Sequence, residues 1–218
     1  MSSRAAIPGP TIKRLTLYLR EVERRQAVGE SRISSSELGR SLGLTDTQIR
    51  KDLSWFGQFG QAGIGYRLEP LSQRLREILG KDRTWRTAVV GAGRLGQAIM
   101  SYAPFAREGF EIAAVFDSDP TLVGERVGDH RIRPMEDIEE IVRDRNILLG
   151  IVSVPGDAAQ EVADRLIEAG VLGLLNFAPT RLEVGDRASV ASVDFSSRLE
   201  RLAFQVSAGL KGPIESED

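Results

Sequence analysis

The first third of the chain has apolar residues every three or four positions, the spacing of residues on the buried face of an α-helix. A first helix carries this pattern at Ile12, Leu15, Leu19 and Val22. Two shorter helices follow, and each has a capping residue before its first turn with Glu or Gln three positions later. These pairs are Ser34 with Glu37 and Thr45 with Gln48. One longer helix followed by two short helices with a tight turn between them predicts a helix-turn-helix domain.

A glycine-rich segment comes directly after the third helix. Residues 56–67 contain four glycines among apolar residues and end in the strand-like Tyr66-Arg67. Glycine permits the positive φ angles of a narrow hairpin, and a hairpin at this place is the wing of a winged-helix domain. A closing helix then ends at Gly80. We therefore predict a winged-helix domain over residues 1–84.

From residue 85 onward the pattern changes to short, continuously apolar strands that alternate with helices. The strands are predicted at residues 85–90, 110–116, 147–154, 171–177 and 189–194. Continuous apolar strands are typical of a parallel sheet with helices on both faces. The prediction is a Rossmann-like, doubly wound parallel sheet over residues 85–195, which makes the chain α/β in class.

The last predicted helix carries an unusually complete apolar stripe. The helix and an acidic tail are assigned to residues 196–218. The members of the stripe are Phe195, Leu199, Leu202, Ala203, Val206 and Leu210. Such a face needs a partner surface. Two partners fit the pattern, a second subunit or the domain to which the helix itself belongs. The acidic residues after Pro213 are expected to be disordered.

The segment Gly91-Ala92-Gly93-Arg94-Leu95-Gly96 lies between the first of these strands and a helix, the context that a dinucleotide-binding fingerprint requires. Gly91 permits the tight turn, Gly93 lets the backbone approach a pyrophosphate, and Gly96 lets the helix pack against the strand. The free amides at the start of the helix favour an anion. We expect these six residues to bind a dinucleotide cofactor.

Asp117 ends the next strand, 21 residues after Gly96. A carboxylate at that strand end can bind both hydroxyls of the adenosine ribose and would repel a 2′-phosphate. The cofactors predicted are therefore NAD+ and NADH. The alternative is an ordinary turn, because Asp117-Ser118-Asp119-Pro120 is also typical turn sequence.

Charge is divided unevenly between the two predicted domains. Residues 1–84 contain 15 Lys and Arg and 9 Asp and Glu, a net charge of +6, while residues 85–218 contain 14 and 22, a net charge of −8; together they give the −2 of the whole chain. The basic domain favours a polyanionic partner. In the helix that starts at Thr45, the residues expected to contact double-stranded DNA in the major groove are Gln48, Arg50, Lys51 and Ser54. The alternative is a winged helix that binds a protein.

Composition excludes several kinds of chemistry. The 218-residue chain has no cysteine and one histidine, His130, which excludes disulfides and thiolate nucleophiles, and no metal site is expected. No apolar run approaches the roughly 18 residues of a membrane span, which favours a cytoplasmic protein. Hydride transfer needs a proton donor beside the nicotinamide. His130 is predicted in a loop, and no such constellation is recognisable. A small NAD-dependent oxidoreductase with an accessory winged-helix module stays as the alternative to a DNA-binding protein without enzymatic activity.

Several segments together closely resemble those of the Rex family of redox-sensing transcriptional repressors. They are residues 49–57 (Ile-Arg-Lys-Asp-Leu-Ser-Trp-Phe-Gly), 63–66 (Gly-Ile-Gly-Tyr), 90–96 (Val-Gly-Ala-Gly-Arg-Leu-Gly) and 175–179 (Leu-Asn-Phe-Ala-Pro). The resemblance extends over nearly the whole chain. It implies a homodimeric repressor that binds a palindromic operator when NAD+ dominates and releases it when NADH accumulates. It also implies that the two subunits exchange their C-terminal helices.

The resemblance further implies a conformational switch. Arg20, Tyr102 and Asp194 match three family residues that couple the state of the cofactor to the angle between the domains. In the family the Asp pairs with the Arg in one state and turns to the Tyr in the other. All three residue types are present in this chain.

Further residues are expected at the cofactor and at the DNA. Those expected at the cofactor, besides the fingerprint and Asp117, are Tyr102, Val154, Pro155 and Phe195. An apolar lining there would disfavour the positively charged oxidised nicotinamide. Gly63 is expected to contact DNA from the wing. Family wings commonly carry basic residues where this chain has Gln61 and Ala62, which predicts a weaker contribution of the wing to DNA binding.

Overall fold

The computed structural model describes residues 7–57, 59–61 and 65–210, and the chain divides into two compact units between Arg83 and Thr84. The helices of the first unit are α1 (Gly9–Ala27), α2 (Ser35–Leu42), α3 (Asp46–Ser54) and α4 (Leu68–Ile78). Its strands are β1 (Arg32–Ile33), β2 (Gly60–Gln61) and β3 (Gly65–Arg67). β3 lies between β1 and β2 and pairs antiparallel with both, so one strand before the helix-turn-helix and two strands after it form a small sheet.

The two predicted capping boxes have different outcomes. At the start of α2 the Ser34 side chain accepts the Glu37 N–H at 3.1 Å, and the Glu37 carboxylate accepts the Ser34 N–H at 2.8 Å, which confirms the first box. At the start of α3 the Thr45 hydroxyl accepts the Gln48 N–H at 3.1 Å, but the Gln48 side chain does not return to Thr45. The Gln48 Oε1 does not accept the Thr45 N–H, because the Nε2 of the same amide donates to the charged Asp52 at 2.8 Å, and this charge-assisted bond holds the side chain away from the cap.

The buried face of α1 differs from the predicted stripe in its first turn. Leu15, Leu19 and Val22 are buried in the core that the four helices share. Ile12, by contrast, is 46% exposed, so its prediction as a core residue is wrong. The neighbouring Thr11 takes the inward position, where its hydroxyl donates to Asp52 of α3 at 3.4 Å.

Glu21 of α1 is a nearly buried carboxylate that should make the stability of this unit depend on pH. It accepts hydrogen bonds from Arg24 and Arg25, each at 2.8 Å. These bonds, that from Arg24 above all, lower the pKa of Glu21 from 4.5 to about 2 against the opposing effect of burial. Because the pKa is lower in the folded chain, the stabilisation is complete above about pH 4.5 and is lost as the pH falls towards 2.

We therefore expect the free energy of unfolding of the protein to fall between pH 5 and pH 3 in part through Glu21, as measured by urea unfolding followed by circular dichroism. The Glu21→Gln variant should be less stable than wild type at pH 6 and should lose less stability on acidification. Parallel pH profiles for the two proteins would show that Glu21 contributes no such dependence.

The second unit is built on a twisted sheet of largely parallel strands. The strands are β4 (Trp85–Val90), β5 (Phe110–Asp117), β6 (Arg126–Val127), β7 (His130–Pro134), β8 (Leu149–Val152), β9 (Gly173–Asn176) and β10 (Ser189–Ser192). The helices are α5 (Arg94–Met100), α6 (Pro104–Arg107), α7 (Ile138–Asp144), α8 (Ala159–Ala169) and α9 (Phe195–Ser207), with short 3-10 turns at Met135–Asp137 and Gly185–Arg187. The strand order is β10-β9-β8-β4-β5-β7-β6, and the β6–β7 hairpin at the edge is antiparallel.

His130 is the first residue of β7 and pairs with Val127, so its prediction in a loop is wrong.

The two faces of this sheet are covered unequally. On one face α7 and α8 pack over the strands and bury residues such as Phe116, Val142 and Leu166. On the other face a cluster that includes Val89, Ile99 and Val115 covers the middle of the sheet. Over β8, β9 and β10 the second face instead carries an apolar groove of about 350 Å³. Within a single chain, helices therefore cover these three strands on one face only.

The terminal helix α9 has its apolar stripe on the surface. Asp194 caps this helix by accepting the Ser197 N–H at 3.0 Å. Leu199, Leu202 and Val206 are 65%, 46% and 71% exposed. The alternative in which the helix packs this stripe onto its own domain is therefore wrong.

The acidic tail lies outside the described residues. In the described ranges, no helix has both the length and the apolar content to cross a bilayer.

Candidate functional site

The glycine-rich loop between β4 and α5 has backbone geometry that only glycine allows. Gly91 has a φ of 98°, and a Cβ there would overlap the carbonyl oxygen of Ser153. A Cβ on Gly96 would overlap the carbonyl oxygen of Gly91, so the start of α5 lies directly on the loop. Around Gly93, in contrast, the space is open. The loop is thus closely packed on the protein side and accessible at the position where the fingerprint places a pyrophosphate.

Asp117 lies at the carboxyl end of β5, beside this loop. Its carboxylate accepts the Ala92 N–H at 2.6 Å and the Asp119 N–H at 2.8 Å. The first of these bonds joins the carboxylate to the fingerprint, and the second is the turn contact that the alternative interpretation expected. Both occur together, so Asp117 is part of a turn and also a neighbour of the loop.

The glycine-rich loop and the Asp117 carboxylate border a cleft of about 470 Å³ at the carboxyl edge of the sheet, where open α/β sheets bind ligands. Six residues predicted for the cofactor line it or hold its wall: Gly91, Ala92, Gly93, Asp117, Val154 and Pro155. Further lining residues that sequence reasoning missed are Leu122, Met135, Glu136, Ser153 and Arg165. Backbone amides and Arg165 match the phosphates of a dinucleotide, the carboxylates match its ribose hydroxyls, and the apolar side chains match its rings, so the residues present fit that group.

Ser153 is the most informative of the missed residues. Its hydroxyl lies 3.0 Å from the Val90 carbonyl and 2.9 Å from the Gly91 carbonyl, so it ties β8 to the turn of the fingerprint. Its position directly after a predicted strand, at the same sheet edge as the fingerprint, was the signal that could have identified it.

Other predicted cofactor residues lie outside the lining of this cleft. Arg94 and Leu95 are exposed in the first turn of α5. Tyr102 is exposed and meets the ring of Phe105 edge-on at 5.1 Å. Phe195 lies 6.1 Å from the ring of Phe177 at the start of α9. Of the three switch residues, Tyr102 and Asp194 belong to the second unit, whereas Arg20 is exposed on α1 of the first.

In the first unit, α3 presents the residues predicted to contact DNA. Arg50 is exposed and donates to Asp46 at 2.6 Å and to Ser35 at 3.1 Å. Lys51 is exposed, and the Ser54 hydroxyl donates to its carbonyl oxygen at 2.7 Å. Gln48 is half-buried against Asp52. Gly63 lies outside the described residues.

Asp52 is a buried carboxylate on α3 that sequence reasoning did not single out. Burial alone would raise its pKa, but hydrogen bonds from Arg14, Tyr18 and Gln48 outweigh that effect and hold the pKa below its usual value. Burial, and after it the hydrogen bond to Asp52, raises the pKa of the Tyr18 phenol. No group of three or more metal-ligating side chains is found in the part of the chain that the structure describes.

Comparison with known proteins relates both units to characterised families. Residues 6–54 match the family model described as "Putative DNA-binding protein N-terminus", and residues 82–180 match "CoA binding domain". The chain is 44% identical over 200 residues to a protein of Carboxydothermus hydrogenoformans named redox-sensing transcriptional repressor Rex. The match covers 92% of this chain and 96% of that protein. A protein of the same name from Thermotoga petrophila is 40% identical and covers 92% and 96%. These relatives are named as repressors, which decides against the oxidoreductase that the sequence left open.

Solved structures give the same relationship over both units. The crystal structure of RSP in complex with β-NAD+ and operator DNA superposes with a TM-score of 0.88 at 38% identity and covers 94% of each chain. The structure of RSP with β-NADH gives a TM-score of 0.79 at 36% identity and covers 94% of this chain and 96% of that chain. The fold class predicted from the sequence is thereby confirmed.

Proposed function

This chain belongs to the Rex family of redox-sensing transcriptional repressors, and on that premise we propose that it binds operator DNA when NAD+ dominates and releases it when NADH accumulates. The observation that carries the proposal is the bond between Asp117 and the Ala92 amide, which joins a dinucleotide fingerprint to its ribose-binding carboxylate in the same chain as an exposed basic helix α3. The protein acts as a regulator in the cytoplasm and not as an enzyme.

The cofactor end of the mechanism rests on the cleft beside β4 and β5. Backbone amides of the loop, together with Arg94 and Leu95 at the start of α5, hold the pyrophosphate, and Asp117 holds the ribose hydroxyls. NADH and NAD+ differ in the charge of the nicotinamide ring, and no group is transferred here. Val154 and Pro155 give an apolar lining that penalises the charged ring, with Phe195 and Tyr102 joining them in the cofactor-bound dimer. A preference of about 100-fold for NADH needs only about 2.7 kcal/mol.

The DNA end of the mechanism rests on α3. Arg50, Lys51 and Ser54 are exposed on it and contact bases or phosphates of the major groove, and Gln48 reaches a base edge. Gly63, which lies outside the described residues, is the contact proposed between the wing and the DNA. With Gln61 and Ala62 in place of basic residues, the wing adds few phosphate contacts, so the salt dependence of binding is shallow.

The two ends are coupled in a homodimer. The winged helix is assigned to residues 1–84 and the cofactor domain to residues 85–195, and the remainder forms the exchanged helix and the tail. The apolar stripe of α9 from one subunit covers the groove over β8, β9 and β10 of the other, because each surface is apolar and exposed without it. Asp194 at the start of that helix pairs with Arg20 in one state and turns to Tyr102 in the other. NADH shifts the population to a dimer whose α3 helices no longer match the half-site spacing.

An electrophoretic mobility shift with a palindromic operator tests the proposal. Wild type should bind the duplex with NAD+ present and release it on titration with NADH. Asp117→Ala should require far more NADH for release, by about 10- to 100-fold if two ribose hydrogen bonds to a charged group are lost. Asp144→Ala, which removes an exposed carboxylate at the end of α7 outside the lining of the cleft, is the control and should respond like wild type. Retention of DNA by wild type at saturating NADH would refute the proposed function.

A further inference from the structure

Asp52 is a buried carboxylate on α3 that accepts hydrogen bonds from several side chains. It is 1% exposed, and four side chains donate to it. Arg14 donates to both of its oxygens from one edge of the guanidinium, from Nε at 2.6 Å and from Nη2 at 2.8 Å. The Tyr18 hydroxyl donates at 2.7 Å and the Gln48 amide at 2.8 Å.

These donors connect two helices in a defined way. Thr11, Arg14 and Tyr18 lie on one face of α1, and Asp52 lies on the inner face of α3. A bidentate guanidinium–carboxylate pair is planar, so it restricts both the rotation of α3 about its axis and its position along α1. Lys51 and Ser54 are within two residues of Asp52, so a rotation of α3 would move the groups that face the DNA. Apolar side chains could fill the same space at similar stability, but they would not fix this rotation.

The contact with Gln48 has a second consequence. A carboxylate can only accept hydrogen bonds, so the Nε2 end of the Gln48 amide must face Asp52, and its Oε1 end is thereby directed away. One N–H of the amide and the carbonyl oxygen are left for another partner. A glutamine that offers an oxygen and an N–H side by side has the pattern that reads the N6 and N7 edge of adenine.

We propose that Asp52 is a positioning residue for sequence-specific DNA binding, which holds α3 in place on α1 and sets the orientation of the Gln48 amide. The inference rests on the proposed binding of operator DNA. It assigns Asp52 no contact with DNA, and it makes Gln48 a residue whose selectivity depends on a buried neighbour.

The test compares affinity for the operator with affinity for an unrelated duplex of equal length at one salt concentration, by fluorescence anisotropy with the full-length protein. Asp52→Asn can donate to Gln48 and so favours the opposite amide orientation; we expect it to lower the ratio of the two affinities by about tenfold. Gln48→Ala removes only the base contact, so it should lower the ratio no further than Asp52→Asn does, and the double variant should be no worse than Asp52→Asn alone. Tyr18→Phe is the matched control, since it removes a donor to Asp52 but leaves Gln48 in place, and its ratio should equal that of wild type.

Two further measurements distinguish a loss of folding from a loss of selectivity for the operator. NADH affinity, which depends on the second unit, should be unchanged in every variant, and thermal unfolding reports the stability of each. If Asp52→Asn does not fold, Arg14→Lys keeps the charge but loses the planar fork, and it should lower the ratio less strongly. A folded Asp52→Asn or Arg14→Lys protein with the wild-type ratio, or a ratio that falls as far in Tyr18→Phe, overturns the inference. Absence of operator preference in wild type would instead refute the proposed function, and the inference with it.

Discussion

Leu202→Glu is expected to convert the protein from a dimer to a monomer. Leu202 lies in the middle of the exposed stripe of α9, and the groove over β8, β9 and β10 is the apolar surface proposed to receive it. Burying a leucine contributes about 1.5–3 kcal/mol, and burying an unpaired carboxylate costs several kcal/mol more. A two-fold dimer contains the substitution twice, so both effects are doubled. Sedimentation velocity at micromolar protein concentration measures the change directly.

Glu200→Arg is the control for this experiment. Glu200 lies on the same helix but away from the stripe, and the substitution changes the charge by two units without touching the apolar face. It should leave the dimer intact. A dimeric Leu202→Glu protein would show that the stripe is not the subunit interface. A monomeric wild type would show that the proposed exchange of helices does not occur.

Gly96→Ala is expected to make operator binding insensitive to NADH. The added Cβ would overlap the carbonyl oxygen of Gly91, and that residue cannot move freely because its own Cα lies against Ser153. The loop must therefore open, which separates the Ala92 amide from Asp117 and removes the arrangement proposed to hold the pyrophosphate and the ribose. We expect a loss of NADH affinity of at least about 100-fold, equivalent to about 2.7 kcal/mol. Isothermal titration calorimetry gives the affinity, and mobility shifts at saturating NADH give the DNA response.

Gly93→Ala separates this effect from a general loss of stability. The space around Gly93 is open and its φ is −67°, so alanine fits without strain in the protein. The variant should melt like wild type yet bind NADH more weakly, because the new methyl group lies where the pyrophosphate approaches the backbone. Gly96→Ala should lose both thermal stability and affinity. If Gly96→Ala binds NADH normally, the loop does not hold the cofactor as proposed.

Local sequence determined much of the second unit. Three properties of short segments predicted the parallel sheet and the loop at its carboxyl edge. They are the alternation of strands and helices, the spacing of Gly91, Gly93 and Gly96, and the acidic residue at the end of β5. Strand ends were less predictable: the strands predicted at residues 147–154 and 171–177 are Leu149–Val152 and Gly173–Asn176 in the structure. Apolar residues continue past the last ladder hydrogen bond, so hydrophobicity alone does not mark where pairing stops.

The tertiary structure decided what depends on partners distant in sequence. Asp52 reads as one more exposed charge on α3 until Arg14, 38 residues earlier, is found beside it. The hydrogen bond from Gln48 to Asp52 likewise replaces the cap that was predicted for Gln48. Thr11 takes the inward position on α1, and Ile12 is left exposed. Helical periodicity specifies which residues share a face, but not what that face meets. By itself, then, the sequence determined the elements, the fingerprint and the family, because these are written in contiguous residues. The uncovered groove, the exposed stripe of α9 and the buried network around Asp52 came only with the folded chain, because packing and burial arise from residues brought together across the sequence.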